Sequence, residues 1–195
     1  MKQATRTKIL KMSKELFALG GYDGFSMRNL VKHSGIGQSS IYHFFNDKDE
    51  ILQEIFVNVG RELGQKRAQL PTTQNASEML RSRLYFQFEN IEDIIFVLKY
   101  YLHFRPEFVR LASGYIPPKA YLHVVEVLQK GIETGEFVLT LQDIEEQAKV
   151  ITHAINGFLI EYYPNPPLGQ ELEGVVGSIH RFIMRSLTNK EVKMM

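Results

Sequence analysis

The chain has 195 residues, of which 44% are hydrophobic and none is cysteine, and its formal net charge is +1. Such a composition supports a packed core and excludes disulfide frameworks, thiolate nucleophiles and cysteine-based metal sites. Residues 1–48 hold eight Lys or Arg against three acids, a local net charge of +5, and the remaining residues hold fifteen against nineteen. A basic end on a mildly acidic body suits a protein that places that end on a polyanion.

The N-terminal segment predicts an amphipathic helix over residues 5–19, with Ile9, Met12, Leu16 and Phe17 on one apolar face. It does not have the apolar core of a signal segment. The most apolar stretch elsewhere, residues 94–98, is far too short to span a membrane. We therefore expect a cytoplasmic protein.

Residues 26–45 predict two short helices joined by a tight turn. Ser26 is a natural N-cap for the first helix, whose buried stripe is Met27, Leu30 and Val31. Gly35 can take the positive φ of a helix C-cap, and Gly37 is a permissive N-cap for the second helix. A turn of three or four residues containing Gly between two helices is the helix-turn-helix signature.

The second of these helices has one apolar face, formed by Ile41, Phe44 and Phe45, and one polar face. Side chains of the polar face can bond to phosphates or to base edges of DNA. Lys48 lies in the first turn of the next helix, where a cation is unfavourable unless a phosphate binds there. The candidate DNA-binding residues are Ser26, Arg28, Gln38, Ser39, Ser40, Tyr42, His43 and Lys48.

Four blocks in this region resemble, in order and spacing, the DNA-binding domain of the tetracycline-repressor (TetR) family. They are Gly21-Tyr22-Asp23-Gly24-Phe25-Ser26-Met27-Arg28, Ser34-Gly35-Ile36, Ser40-Ile41-Tyr42-His43-Phe44-Phe45 and Asp47-Lys48-Asp49-Glu50-Ile51-Leu52. The resemblance covers roughly residues 5–60. It implies an N-terminal three-helix DNA-binding domain and a helical C-terminal domain that binds a ligand and dimerises.

The rest of the chain predicts helices and no strand, so we expect an all-α protein. Helices are predicted over residues 47–69, 76–89, 91–104, 119–133, 142–163 and 169–187, with a helical turn from Pro106 to Leu111 and a break at Pro117-Pro118. Pro71 marks the predicted domain boundary. The expected domains are residues 1–48, for DNA binding, and residues 70–195, for ligand binding and dimerisation, joined by the helix over residues 47–69.

The last two helices are apolar over more than one stripe and contain Gly157, Gly174 and Gly177. Glycine inside a helix costs roughly 1 kcal/mol relative to alanine, which makes sense where another helix approaches closely. We therefore predict a homodimer through a bundle of two helices from each chain. The candidate dimerisation residues are Ile151, Ile155, Phe158, Val176, Ile179 and Ile183.

The middle helices are rich in aromatic residues between positions 85 and 121, most of which must fill the core. The family resemblance implies that a subset lines a cavity for a small inducer, and such cavities combine an apolar wall with a few polar anchors. We expect a largely apolar or aromatic inducer with one polar end. The candidate ligand-binding residues are Tyr100, His103, Phe104, Tyr121, His123 and Asn156.

No pattern of catalytic, metal-binding or cofactor-binding residues is apparent. The chain has neither an H-E-x-x-H nor a G-x-S-x-G motif, and Gly35-Ile36-Gly37 does not complete a dinucleotide loop. We expect no enzyme activity, metal or cofactor. Two alternatives stay open: a helical enzyme or small-molecule-binding protein with an incidental helix-turn-helix domain, and a protein that coats DNA without regard to sequence.

The preferred function is a transcriptional regulator, usually a repressor in the family it resembles, that binds a palindromic double-stranded operator as a dimer. We expect an inducer bound among the middle helices to lower DNA affinity. Since Pro71 separates the aromatic cluster from the DNA-reading helix, we expect the coupling to run through the helix over residues 47–69.

Overall fold

The computed structural model describes residues 2–73, 75–104, 119–163 and 165–188. These residues form nine helices and no strand, which confirms the all-α prediction. The helices are α1 (Lys2–Gly24), α2 (Met27–Ser34), α3 (Gln38–Phe44), α4 (Lys48–Ala68), α5 (Ala76–Glu89), α6 (Ile91–His103), α7 (Leu122–Glu133), α8 (Ile144–Tyr162) and α9 (Gly169–Thr188). The helical turn predicted at Pro106 and the break predicted at Pro117-Pro118 lie outside the described residues.

Contacts divide the described residues into two compact units. The N-terminal unit holds residues up to 65 together with 92–104, and the C-terminal unit holds 66–91 together with 119–188. Contacts therefore group α6 with the first helices, although the boundary expected near Pro71 assigns it to the other domain. The functional boundary itself stays a prediction.

The core of the N-terminal unit forms where α1, α2 and α3 bring their apolar faces together. Ile9, Leu30 and Ile41, one from each helix, have no exposed surface. Burying an aliphatic side chain of this size contributes roughly 1.5–3 kcal/mol, which explains why three short helices can hold a defined arrangement. Phe25 and Phe45 close the same core at the ends of the segment that carries α2 and α3.

Helix α6 contacts α1 through three side-chain interactions within this unit. The ammonium of Lys14 forms an ion pair with Asp93. One turn further on, the rings of Phe17 and Phe96 meet edge to face, with their centroids 5.1 Å apart. The ammonium of Lys99 then donates to the carbonyl oxygen of Ala18 at 2.7 Å. These contacts join α6 directly to the helix that supports the helix-turn-helix pair.

The C-terminal unit is organised around α5, which packs against α7, α8 and α9. The N-cap of this helix is Asn75, whose side chain accepts from the backbone nitrogen of Glu78 at 2.9 Å. The carboxylate of Glu136 also accepts hydrogen bonds there, from the backbone nitrogens of Ala76, at 2.8 Å, and Ser77, at 3.1 Å. The imidazole of His180, on α9, lies 3.0 Å from the hydroxyl of Ser77. A carboxylate at a helix N-terminus stabilises both the free N–H groups and the helix dipole.

No helix in the described residues is long and apolar enough to cross a lipid bilayer.

Candidate nucleic-acid interface

The turn between α2 and α3 is built from residues that suit its backbone. Ser26 has extended φ and ψ, and its hydroxyl accepts a hydrogen bond from the backbone nitrogen of Asn29 at 3.1 Å, which confirms it as the N-cap of α2. Gly35 ends the helix with a φ of 66°, a left-handed conformation that side chains with a Cβ rarely adopt. Ser34 then accepts from the backbone nitrogen of Ile36 at 3.1 Å and stiffens the turn.

Helix α3 has one buried face and one exposed face. Ile41, in its middle, and Phe45, at its C-cap, are at most 1% exposed and hold the helix against the core. On the other side Tyr42 is 45% exposed. The remaining predicted contact residues of this helix are exposed as well: Gln38, Ser39, Ser40 and His43.

These polar side chains have no competing partner in the described part of the chain. The side chains of Gln38, Ser39 and Tyr42 form no hydrogen bond or ion pair there, and the imidazole of His43 contacts the ring of Phe44 edge to face at 5.2 Å between centroids. Arg28, on the first turn of α2, is also exposed. The structure thus exposes six of the eight predicted residues on α2 and α3, whereas Ser26 is half-buried and its hydroxyl caps α2.

Lys48, the eighth residue, is placed differently from its prediction. Its ammonium donates to the carbonyl oxygens of Tyr22, at 2.9 Å, and Phe25, at 3.3 Å. It also lies over the ring of Tyr22, 3.6 Å from the centroid. The N-cap of α4 is Asp47, which accepts from the backbone nitrogen of Glu50 at 2.8 Å. The contact of Lys48 with DNA stays a prediction, but internal groups occupy its ammonium.

Tyr22 is a residue that the sequence analysis did not single out. Its hydroxyl donates to Asp49 at 2.7 Å, and this hydrogen bond, together with burial and the negative charge of Asp49, raises the pKa of Tyr22 to about 12. The ring stacks on the imidazole of His103, with centroids 3.4 Å apart and an angle of 19° between the planes. The sequence shows Tyr22 within the Gly21-Tyr22-Asp23-Gly24 block, but its partners Asp49 and His103 lie far from it along the chain.

The candidate ligand residues fall into both units. Tyr100, His103 and Phe104 belong to the N-terminal unit, where Tyr100 is fully buried with its ring stacked between Phe56, at 4.3 Å, and Phe104, at 4.5 Å. The hydroxyl of Tyr100 has no hydrogen-bond partner among the described residues, and burial raises its pKa.

The other three candidates belong to the C-terminal unit. Tyr121 donates to Glu145 at 2.8 Å, and Asn156 is half-buried on α8. His123 is buried, and its Nε2 lies 3.4 Å from the amide nitrogen of Gln87. The two side chains line a cavity of about 10 Å³ whose other walls include Leu80, Val124, Val127 and Ile155. Room of this size holds roughly one water molecule.

The candidate dimerisation residues are mostly buried within their own chain. Ile151, Ile155, Val176, Ile179 and Ile183 are at most 4% exposed, and Phe158 is half-buried. The first five thus form the core of the C-terminal unit and are unavailable to a partner. Exposed apolar side chains lie elsewhere on the same two helices, at Val150 (58% exposed), Ile160 (60%) and Phe182 (64%).

No three His, Asp or Glu side chains of the described residues come together in an arrangement that could hold a metal ion.

The helix-turn-helix region resembles known regulatory proteins in sequence. The family model "Bacterial regulatory proteins, tetR family" matches residues 9–55. The Bacillus subtilis HTH-type transcriptional regulator YxaF is 32% identical over 95 residues, which is 46% of this chain and 50% of that protein. The chain thus spans about half the length of this curated relative.

Solved structures match over almost the whole chain. The ketosteroid transcriptional regulator KstR2 of Mycobacterium tuberculosis has a TM-score of 0.76 and 23% identity, and the match covers 95% of this chain and 96% of that one. A TetR family transcriptional regulator from Agrobacterium tumefaciens has a TM-score of 0.74 and 22% identity, over 97% and 100% of the two chains. At these identities the likeness shows that the fold is shared.

Proposed function

Since the chain belongs to the tetR family of bacterial regulatory proteins, we propose that it is a cytoplasmic, ligand-responsive transcriptional regulator that binds an operator in double-stranded DNA. The observation that carries this proposal is the exposed polar face of α3, because its side chains are held outward by a helix whose opposite face is buried. An α-helix presented in this way fits the major groove, where base edges can be read. We propose that binding to the operator represses transcription.

The reading contacts follow from the exposed groups. We propose that three side chains of α3 contact bases and nearby phosphates. Tyr42 would use its ring and hydroxyl, His43 its ring nitrogens, and Gln38 its amide. Arg28 and Ser26, at the start of α2, are proposed to contact the DNA backbone, which fixes the register of α3 in the groove. The local net charge of +5 in residues 1–48 supports binding to a polyanion.

We propose that two chains associate through the outer faces of α8 and α9, so that two reading heads face two half-sites of a palindrome. Val150 and Ile160 on α8 and Phe182 on α9 supply apolar surface for this contact. A Cβ added at Gly157 or Gly174 would meet no atom within 4 Å other than those of its chain neighbours and its own helix backbone. Both glycines therefore leave open space outside the chain, which a partner helix could enter.

We further propose that a small, largely apolar ligand with one polar end binds the protein and lowers its affinity for the operator. The buried pair Gln87 and His123 offers an amide and a neutral imidazole that can orient one polar group. The cavity beside them has room for about one water molecule, so ligand binding there would require the surrounding side chains to move. A ligand shifts DNA affinity only if it binds one conformation more tightly than another. A coupling of about 1–3 kcal/mol would weaken operator binding roughly 5- to 150-fold.

The test of the DNA-binding function starts from a duplex selected from random-sequence DNA by the purified full-length protein. Fluorescence anisotropy then compares wild type with Tyr42→Ala, which should lose about 1–3 kcal/mol of specific binding while keeping its helical circular dichroism. Tyr85→Ala, on α5, is the matched control and should bind normally. Wild type that selects no sequence, or Tyr42→Ala that binds like wild type, would contradict the assignment.

A further inference from the structure

The ring of Tyr22 is held between two groups that come from different helices. The Lys48 ammonium, at the start of α4, is 3.6 Å from its centroid, and the His103 imidazole, at the end of α6, is 3.4 Å from it. Both groups lie too close to the ring centre to share one face, so they cover opposite faces. Tyr22 itself lies in the last turn of α1, directly after Gly21, whose φ of 64° interrupts the regular helix. One side chain therefore joins the ends of three helices.

The contacts of Lys48 extend from this ring to the start of α2. Its ammonium bonds to the carbonyl oxygen of Phe25, which directly precedes the N-cap residue Ser26. The same ammonium bonds to the carbonyl oxygen of Tyr22, and the Tyr22 hydroxyl bonds to Asp49 in the first turn of α4. Residues 22–25 are thereby tied to the beginning of α4 by three hydrogen bonds and a cation–π contact. If these contacts shifted, the residues that lead into α2 would shift as well, and the position of α3 would change with them.

We propose that Lys48 is a positioning residue for operator binding and not a phosphate contact. His103, on α6, is proposed to help fix Tyr22 in the same position by stacking on its ring. This rests on the proposed DNA-binding function. Hydrogen bonds from a charged donor to two carbonyls, and a cation–π contact, hold the ammonium against Tyr22 and Phe25. The imidazole of His103 covers the other face of the ring, so that the last turn of α6 sets the orientation of the reading helices.

The dependence of binding on salt separates positioning from phosphate contact. Each lost phosphate contact reduces the slope of log K against log salt by about 0.9, because fewer counterions are released. Lys48→Met should weaken binding to the selected duplex about tenfold at fixed salt, through the lost charged hydrogen bonds, and leave that slope unchanged. Arg28→Gln, which removes an exposed charge proposed to contact phosphate, is the comparison variant. A slope reduced by about 0.9 per reading head in Lys48→Met would overturn the proposal.

Paired substitutions at Tyr22 and His103 test the stacked ring itself. Tyr22→Phe keeps both ring contacts and should retain most of the affinity, whereas Tyr22→Leu removes them and should lose about tenfold or more. His103→Ala should weaken operator binding, and His103→Phe, which restores a stacking ring, should recover it. Equal operator affinities for wild type and His103→Ala would overturn the role of α6. Wild-type binding to the selected duplex, together with the loss in Tyr42→Ala, shows separately whether the proposed function holds.

Discussion

The amide nitrogen of Gln87, on α5, lies 3.4 Å from Nε2 of His123, on α7, in the interior of the C-terminal unit. The Gln87 amide can donate only if that imidazole nitrogen carries no proton, so the contact selects the neutral form of His123. Burial, together with the positive charges of Arg67 and Arg83, lowers the pKa of His123 to about 3. The protein therefore keeps an uncharged histidine at neutral and mildly acidic pH.

This histidine should make the stability of the protein depend on pH. In the unfolded chain His123 gains a proton below a pKa of about 6.5, whereas in the folded chain it does so only near 3. Because the unfolded state binds more protons in that window, stability is complete above pH ~6.5 and falls as the pH is lowered. Between pH 6.5 and 5 the loss should be roughly 2 kcal/mol.

Urea unfolding at pH 7 and pH 5 measures this effect in wild type and in His123→Gln, which has no imidazole to protonate. The shift of the unfolding midpoint with pH should be smaller in the variant. His153→Gln removes an exposed imidazole on α8 and should behave like wild type. An unaltered pH dependence in His123→Gln would show that the buried imidazole is not the group responsible.

A charge on the exposed face of α9 should separate the proposed dimer. Phe182→Arg replaces a side chain that is 64% exposed in the single chain, so the monomer should keep its fold. In a dimer the same change would place an unpaired charge in an apolar interface, which costs several kcal/mol. Sedimentation should show a dimer for wild type and a monomer for Phe182→Arg.

Leu19→Arg is the matched control, since Leu19 is an 84% exposed apolar residue on α1. It should sediment like wild type. A wild-type protein that stays monomeric at micromolar concentration would remove the proposed interface, and a dimeric Phe182→Arg variant would place the interface elsewhere.

The caps and the turn of the DNA-reading pair could be predicted from the sequence because they depend on neighbouring residues. Ser26 bonds three residues ahead, and Gly35 adopts its left-handed conformation to end a helix of only eight residues. The burial of Leu30 and Ile41 follows in the same way from the helical period. Local chemistry was sufficient for each of these features.

The placement of Lys48 and of the dimerisation candidates could not be predicted in this way. Lys48 bonds to carbonyl oxygens that are 26 and 23 residues away, and no local pattern identifies such partners. Helix α9 carries apolar residues on two faces, so the period alone cannot decide which face is internal. The structure resolves this by burying Ile179 and exposing Phe182, three positions apart.

The close approach of Gly131 to Phe137 should make this glycine intolerant of substitution. A Cβ at Gly131, on α7, would lie 1.9 Å from a carbon of the buried Phe137 ring, so the ring would have to move. Overpacking of this kind typically costs about 1–3 kcal/mol. Gly131→Ala should therefore lower the urea midpoint. Gly64→Ala should raise it slightly, because Gly64 is an exposed helical residue with no atom within 4 Å of its added Cβ.

Removing the hydroxyl of the buried Tyr100 should not lower the stability of the protein. Tyr100 is fully buried, and its hydroxyl has no hydrogen-bond partner among the described residues. A buried polar group without a partner costs roughly 1–3 kcal/mol, so Tyr100→Phe should be neutral or stabilising. Tyr22→Phe is the opposite case, because it removes the hydrogen bond to Asp49 and should destabilise the protein. Urea unfolding of the two variants beside wild type compares the same chemical change in both settings.

A destabilised Tyr100→Phe variant would mean that the hydroxyl makes a favourable contact in the folded protein in solution. A stabilised variant would instead mean that the hydroxyl is kept at a cost to stability, which fits its predicted role as a polar anchor for a ligand. In that case a compound that raises the melting temperature of wild type should raise that of Tyr100→Phe less. Tyr42→Phe, which removes an exposed hydroxyl outside the candidate ligand residues, is the control, and the same compound should stabilise it as strongly as wild type.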